Sequence, residues 1–215
     1  LKYTKVLCLK SIFIFLISSC SFGNTVSDTK VDDSTTAVNF NDIRVGAKNM
    51  PRIMELLQDK KVGIVGNQSS LVGDAHLVDT LISSKINIVR VFSPEHGFRG
   101  DADAGELVSN DKDPKTGLTI VSLYGKNKKP TNEQLKGLDV LVFDIQDVGV
   151  RFYTYISTLH YVMQACAENN IELIILDRPN PNGHYVDGPV LDMKFTSFVG
   201  MHPVPIVHGM TIAEY

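Results

Sequence analysis

The sequence predicts an α/β fold, a Rossmann-like, doubly wound and mostly parallel sheet. Three observations predict it. Five short runs, Lys61–Gly66, Ile86–Phe92, Leu118–Tyr124, Asp139–Asp144 and Glu172–Asp177, are largely apolar without strict alternation, as strands buried on both faces are. Segments with helical spacing separate most of them. Each run ends in a polar loop, and in an open parallel sheet those carboxyl ends converge on one rim, where ligands bind.

The elements follow in order. Val45, Met50, Ile53, Met54 and Leu57 form a helical stripe with Pro51 near its start. The first strand, Lys61–Gly66, exits into Asn67-Gln-Ser-Ser70. Leu77, Leu81 and Ile82 mark a helix, and Ile86–Phe92 delivers Phe92-Ser-Pro-Glu-His-Gly-Phe-Arg-Gly100. Residues 99–117 are long and acidic, with Asp101, Asp103, Glu106, Asp111 and Asp113. Their spacing does not match an EF-hand, so they read as a solvated flap rather than a calcium loop. The third strand, Leu118–Tyr124, comes before a short helix opened by the capping box Thr131/Gln134. The fourth exits through residues 145–155. A helix marked by Leu159, Met163 and Cys166 leads to the fifth, which exits into Arg178-Pro-Asn-Pro-Asn-Gly183. Thr211 and Glu214 repeat the capping-box pattern at the end of the sequence, which therefore reads as the first part of a longer protein.

The N-terminal residues stand apart. Lys2, Lys5 and Lys10 precede the apolar run Ile12–Ile17, of signal-peptide length. Ile17-Ser-Ser-Cys20 resembles a bacterial lipobox, so Cys20 is the expected lipidation site, with ordinary secretory cleavage as the alternative. Residues 1–20 read as a lipoprotein signal peptide, 21–41 as a disordered tether rich in Ser, Thr and Asp, and 42–215 as the catalytic domain. The product is expected to be exported and membrane-anchored, at the periplasm or cell surface.

Composition narrows the function. The chain has 215 residues and a net charge of -3, without the basic face a nucleic-acid binder needs. Gly63 and Gly66 do not make a dinucleotide fingerprint, no GxSxG elbow is present, and no His or Cys spacing matches a metal site. No cofactor and no metal are expected. Cys166 reads as a small core residue.

The chemistry-bearing groups lie at the strand exits. They are Asn67; then Glu95, His96 and Arg99; then Asp144, Gln146, Asp147, Arg151 and Tyr153; then Asp177 and Arg178; with His208 near the end. Glu95, walled by Phe92, Pro94 and Phe98, suits general-acid work, which needs partial desolvation. A salt bridge to Arg99 is its structural alternative. Asp144 and Asp177 read equally as caps for loop amides, and Tyr153 and Tyr155 as packing or sugar-stacking groups. Glu214 reads either as the partner of Thr211 or as a second carboxylate in the cleft. Two carboxyl groups flanking the bond are the usual machinery of glycoside hydrolysis.

Several stretches together resemble a known family: Phe92–Gly100, Ser122-Leu-Tyr-Gly125, Asp144–Tyr155, Leu176-Asp-Arg-Pro-Asn-Pro181 and His208-Gly-Met-Thr211. They resemble the exo-β-N-acetylmuramidases of the NamZ type, long catalogued as a domain of unknown function, from about Val62 to Tyr215. The resemblance implies a Rossmann-like N-terminal domain, a smaller C-terminal domain and a cleft between them. It implies release of N-acetylmuramic acid from the non-reducing ends of peptidoglycan fragments, in cell-wall turnover. It maps the family's glutamates to Glu95 and Glu214, although Ala213 stands where a Gly is usual. Arg99, Arg151 and Arg178 are the candidates for the lactyl carboxylate. Two other readings remain: a lipid-anchored protein that binds cell-wall sugars without cleaving them, and an esterase using Ser93 and His96.

Overall fold

A computed structural model describes residues 6–9, 43–100 and 111–215. The signal core, Cys20, the tether and the acidic residues Asp101, Asp103 and Glu106 lie outside the described residues.

All five expected strands form, as β2 (Val62–Gly66), β5 (Ile88–Ser93), β7 (Thr119–Ser122), β8 (Val140–Asp144) and β9 (Glu172–Leu176). Their order in space is β9-β8-β2-β5-β7, all parallel. This is the doubly wound order, with a switch point between β2 and β8 where the chain reverses its direction across the sheet. Strands β1 (Val6–Leu9) and β6 (Asp111–Lys112) close the two edges, β1 parallel to β9 and β6 antiparallel to β7. The run Val6–Leu9, which the sequence reading places inside the signal peptide, pairs in parallel with β9, as an apolar extended segment beside an open edge can. A two-residue hairpin pair, β3 (Leu71–Val72) and β4 (Ala75–His76), was not legible in so short a stretch.

Strand alternation divides the core. On one face Val65, Phe92, Leu141 and Phe143 meet Ile156, Leu159 and Val162 of α4 (Tyr155–Asn169) and Leu135 of α3 (Asn132–Leu135). On the other, Ile64, Val91, Val142 and Ile174 meet Ile53 and Leu57 of α1 (Met50–Leu57) and Leu77 and Leu81 of α2 (Leu77–Ser83). Helices on both faces explain why the strand sequences are apolar throughout. Each such fully buried side chain contributes roughly 1.5–3 kcal/mol. Cys166 is buried in the first layer, and burial pushes its thiol up to about 12.

Local signals behave as read. Pro51 occupies the first turn of α1. Thr131 accepts from Gln134 N at 3.2 Å while Gln134 Oε1 accepts from Thr131 N at 2.9 Å, a complete capping box.

Candidate active site

The switch point is stitched shut by small polar side chains. Ser70 accepts from Asn67 N and donates to Asp144 O, joining the exits of β2 and β8. Gln146 N donates to Ser69 Oγ at 2.9 Å, and Ser69 in turn donates from N and Oγ to Asn67 Oδ1. His76 takes Val78 N on Nδ1 and faces Asn67 O with Nε2, which assigns its proton to Nε2. Asn67 is therefore fixed through its backbone and Oδ1. Its buried Nδ2 makes no full hydrogen bond, and neither does the buried Tyr155 hydroxyl beside it.

Glu95 rises from the next exit. Its loop turns on His96 and Gly97, with φ of 72° and 78°. A left-handed histidine costs about 1–2 kcal/mol, so the turn is held by its surroundings. Phe98 anchors it, fully packed and edge-on to His76 at 4.7 Å. Glu95 is half-buried, next to Tyr124 and within electrostatic range of Tyr155. Desolvation, followed by the Glu95 charge, raises the Tyr124 phenol, and burial raises Tyr155 further.

Arg99 belongs to a different group. It holds Asp79 through two bonds of 3.0 and 2.9 Å and Asp113 through two of 3.0 and 2.8 Å, and Lys115 adds a contact to Asp79. The guanidinium holds Asp79 down to about 2. Burial works against the charge on Asp113, and hydrogen bonds from Arg99 and Thr116 overcome it. Arg99, weighed as a partner for Glu95, thus pairs with these two aspartates. The group lines an open pocket of about 420 Å³ with Gln68, Asp74 and His76.

The other two arginines are committed as well. Arg178 is bidentate on Asp144 and donates to Leu71 O. Burial pushes the Asp144 carboxyl up, against the pull of Arg178. Arg151 donates to the carbonyls of Pro189 and Val204 and fastens the segment 185–208 to the β8 exit, beside the bridges Val150–Val207 and Asp187–Val207. Each arginine named for a substrate carboxylate thus has intramolecular partners.

Asp177 accepts from Arg178 N, Ala213 N and Thr211 Oγ1, the loop-capping role weighed for it. Glu214 is exposed, and its carboxylate accepts from Thr211 N at 3.0 Å while Thr211 Oγ1 accepts from Glu214 N. Gln146 donates to Asp147 O and Pro179 O. Tyr153 packs edge-on to Tyr155 at 4.8 Å. Asp147 accepts from Gly149 N with Oδ2, 3.8 Å from His208 Nε2, and burial pushes it up to about 6. Asp147 Oδ1 and His208 Nε2 are buried without hydrogen bonds. Tyr124 and Asp79 carried no role in the sequence reading. For Tyr124 the signal was its place two residues beyond a strand end, the offset Glu95 has. For Asp79 there was none, because its partner is twenty residues away across a loop.

A family model described as Exo-beta-N-acetylmuramidase NamZ, N-terminal, matches residues 62–215. Peptidoglycan beta-N-acetylmuramidase NamZ of Bacillus subtilis (strain 168) is 43% identical over 210 residues, 95% of this chain and 51% of that protein. Two DUF1343 family proteins of known structure from Bacteroides fragilis NCTC 9343 are also similar. One is 48% identical with a TM-score of 0.69, over 78% of this chain and 44% of its own. The other is 41% identical with a TM-score of 0.71, over 79% and 43%. The chain spans about half the length of the curated relative.

Proposed function

This chain belongs to the NamZ N-terminal family, and from that premise we propose that it is part of an exo-acting hydrolase that releases N-acetylmuramic acid from the non-reducing ends of peptidoglycan fragments during cell-wall turnover. The observation that carries the reading is the position of Glu95. It is half-buried on a left-handed turn at the sheet's carboxyl rim, within electrostatic range of the Tyr124 and Tyr155 phenols. Such a group protonates the glycosidic oxygen as the bond to the leaving sugar breaks, a step worth about 10²–10⁴-fold. Asn67 and Tyr155, with unsatisfied buried polar atoms, support a role in orienting the substrate. No cofactor enters this chemistry. Incubating the full-length protein with a MurNAc-GlcNAc disaccharide tests it: free N-acetylmuramic acid supports the hydrolase, and saturable binding without product supports a sugar-binding protein.

The export reading belongs to the same proposal. Cleavage before Cys20 and acylation of its thiol would tether the domain to a membrane, where peptidoglycan fragments pass. Cleavage would also remove β1 and leave β9 at the sheet edge. Its test is Cys20→Ser, which should move the protein from the membrane to the soluble fraction.

A further inference from the structure

His160, His202 and Tyr215 form a hydrogen-bonded row across three parts of the chain. His160 stands exposed on α4, and its Nδ1 lies 3.0 Å from Nε2 of His202, on the loop that follows Phe198. His202 Nδ1 lies 3.0 Å from the Tyr215 hydroxyl. One turn earlier on α4, Ser157 Oγ donates to Phe198 O at 2.6 Å and holds the loop to the same helix. The Tyr215 ring is edge-on to two imidazoles, His202 at 5.2 Å and His208 at 4.8 Å. His208 N in turn donates to Gly149 O at the β8 exit. The row therefore leads from an exposed helix face to the rim loop that begins at His208.

Each contact in the row holds a single hydrogen. With both imidazoles neutral, His202 Nε2 donates to His160 Nδ1, and His202 Nδ1 accepts from the Tyr215 hydroxyl. With one proton added, His160 Nδ1 donates to His202 Nε2, and His202 Nδ1 donates to the tyrosine oxygen. Both arrangements satisfy every contact, because a hydroxyl serves as donor or acceptor. Burial pushes the Tyr215 phenol up to about 12, so it stays a hydroxyl in both. A second proton sets two N–H groups and two positive charges against each other across 3.0 Å, where no hydrogen bond can form. Burial, followed by the His160 charge, already holds the His202 imidazole below its ordinary value. The other titratable or charged groups around the row are Tyr161 beside His160, Lys128 over the Phe198 ring, Glu214 on the Tyr215 turn, and Asp147 and Arg151, which act on Tyr215.

We infer that His160 and His202 form a proton-counting latch: with at most one added proton the pair holds Tyr215 and the rim loop to α4, and with two it opens. The second proton enters in the acidic range, below the ordinary imidazole value of about 6.5. The order of residues 208–215 thus depends on pH, whatever reaction the site carries out.

His160→Asn tests the latch, because its amide falls near the Nδ1 position and carries no charge. In full-length protein labelled with ¹³C at histidine Cε1, the resonance missing from His202→Gln identifies His202. Its titration midpoint should rise in His160→Asn relative to wild type, and an unchanged midpoint overturns the inference. Hydrogen exchange of amides 208–215, read by mass spectrometry, should at about pH 5 be at least about threefold faster in wild type than in His160→Asn, and equal in the two at about pH 7.5. Equal exchange at the lower pH overturns the latch. Faster exchange in the variant at both pH values makes the contact a fixed structural one and overturns it as well.

Discussion

Arg178 closes on Asp144 with two parallel hydrogen bonds, Nε to Oδ1 at 2.7 Å and Nη2 to Oδ2 at 3.0 Å, where β8 and β9 end beneath the rim. Both side chains are almost wholly enclosed. The pair fixes the floor of the site, and it explains why an arginine that reads as a substrate clamp serves the fold.

Removing one partner strands a buried charge. Arg178→Ala should cost about 3–5 kcal/mol of stability, while Arg178→Met combined with Asp144→Leu should recover most of the loss. Urea denaturation measures both. A loss under about 1 kcal/mol for the single variant would mean that water reaches Asp144.

Asp79 supplies a pH signature. Arg99 holds its folded-state pKa at about 2, below the unfolded value near 4. A depressed carboxylate stabilises the fold above the unfolded pKa and loses that contribution as pH falls through the folded one. Wild type should therefore lose stability between about pH 4 and 2 more steeply than Asp79→Asn. Parallel melting curves for the two proteins would contradict the pairing.

Asp147 has the opposite sign. Burial raises it to about 6, so the folded state holds its proton more tightly than the unfolded chain does. The cost of ionising it is absent below about pH 4 and full above about pH 6, reaching roughly 3 kcal/mol. Asp147→Asn keeps an acceptor for Gly149 N and should raise the melting temperature at pH 7, with little gain at pH 4. No gain at pH 7 would place the carboxylate in contact with water or a cation.

Glu214 separates two roles. The resemblance gives it catalysis, and its contact with Thr211 N gives it a capping role. Glutamine serves equally at that capping position. Glu214→Gln should keep both stability and turnover within about threefold, and a collapse of kcat with stability unchanged would restore the catalytic reading.

What the sequence revealed follows from the range of the interactions. The strands β2, β5, β7, β8 and β9 were legible because burial on both faces leaves apolar runs, and the Thr131/Gln134 box because its partners are three residues apart. Glu95 stood out because its loop concentrates functional groups after a strand. The partners of Arg99, Arg151 and Arg178 were not legible. Asp113, Asp79, Asp144, Pro189 and Val204 lie 14 to 53 residues away, and only the folded chain brings them together. Spacing could say that these guanidinium groups reach the rim, but not that carboxylates and carbonyls of the chain itself already hold them.

The most direct measurement is the rate at which the full-length protein bearing Glu95→Gln releases N-acetylmuramic acid from a MurNAc-GlcNAc disaccharide. With Glu95 as the proton donor, kcat should fall about 10²–10⁴-fold while the fold and the melting temperature are retained. Release at the wild-type rate would contradict the assignment of Glu95 as the acid.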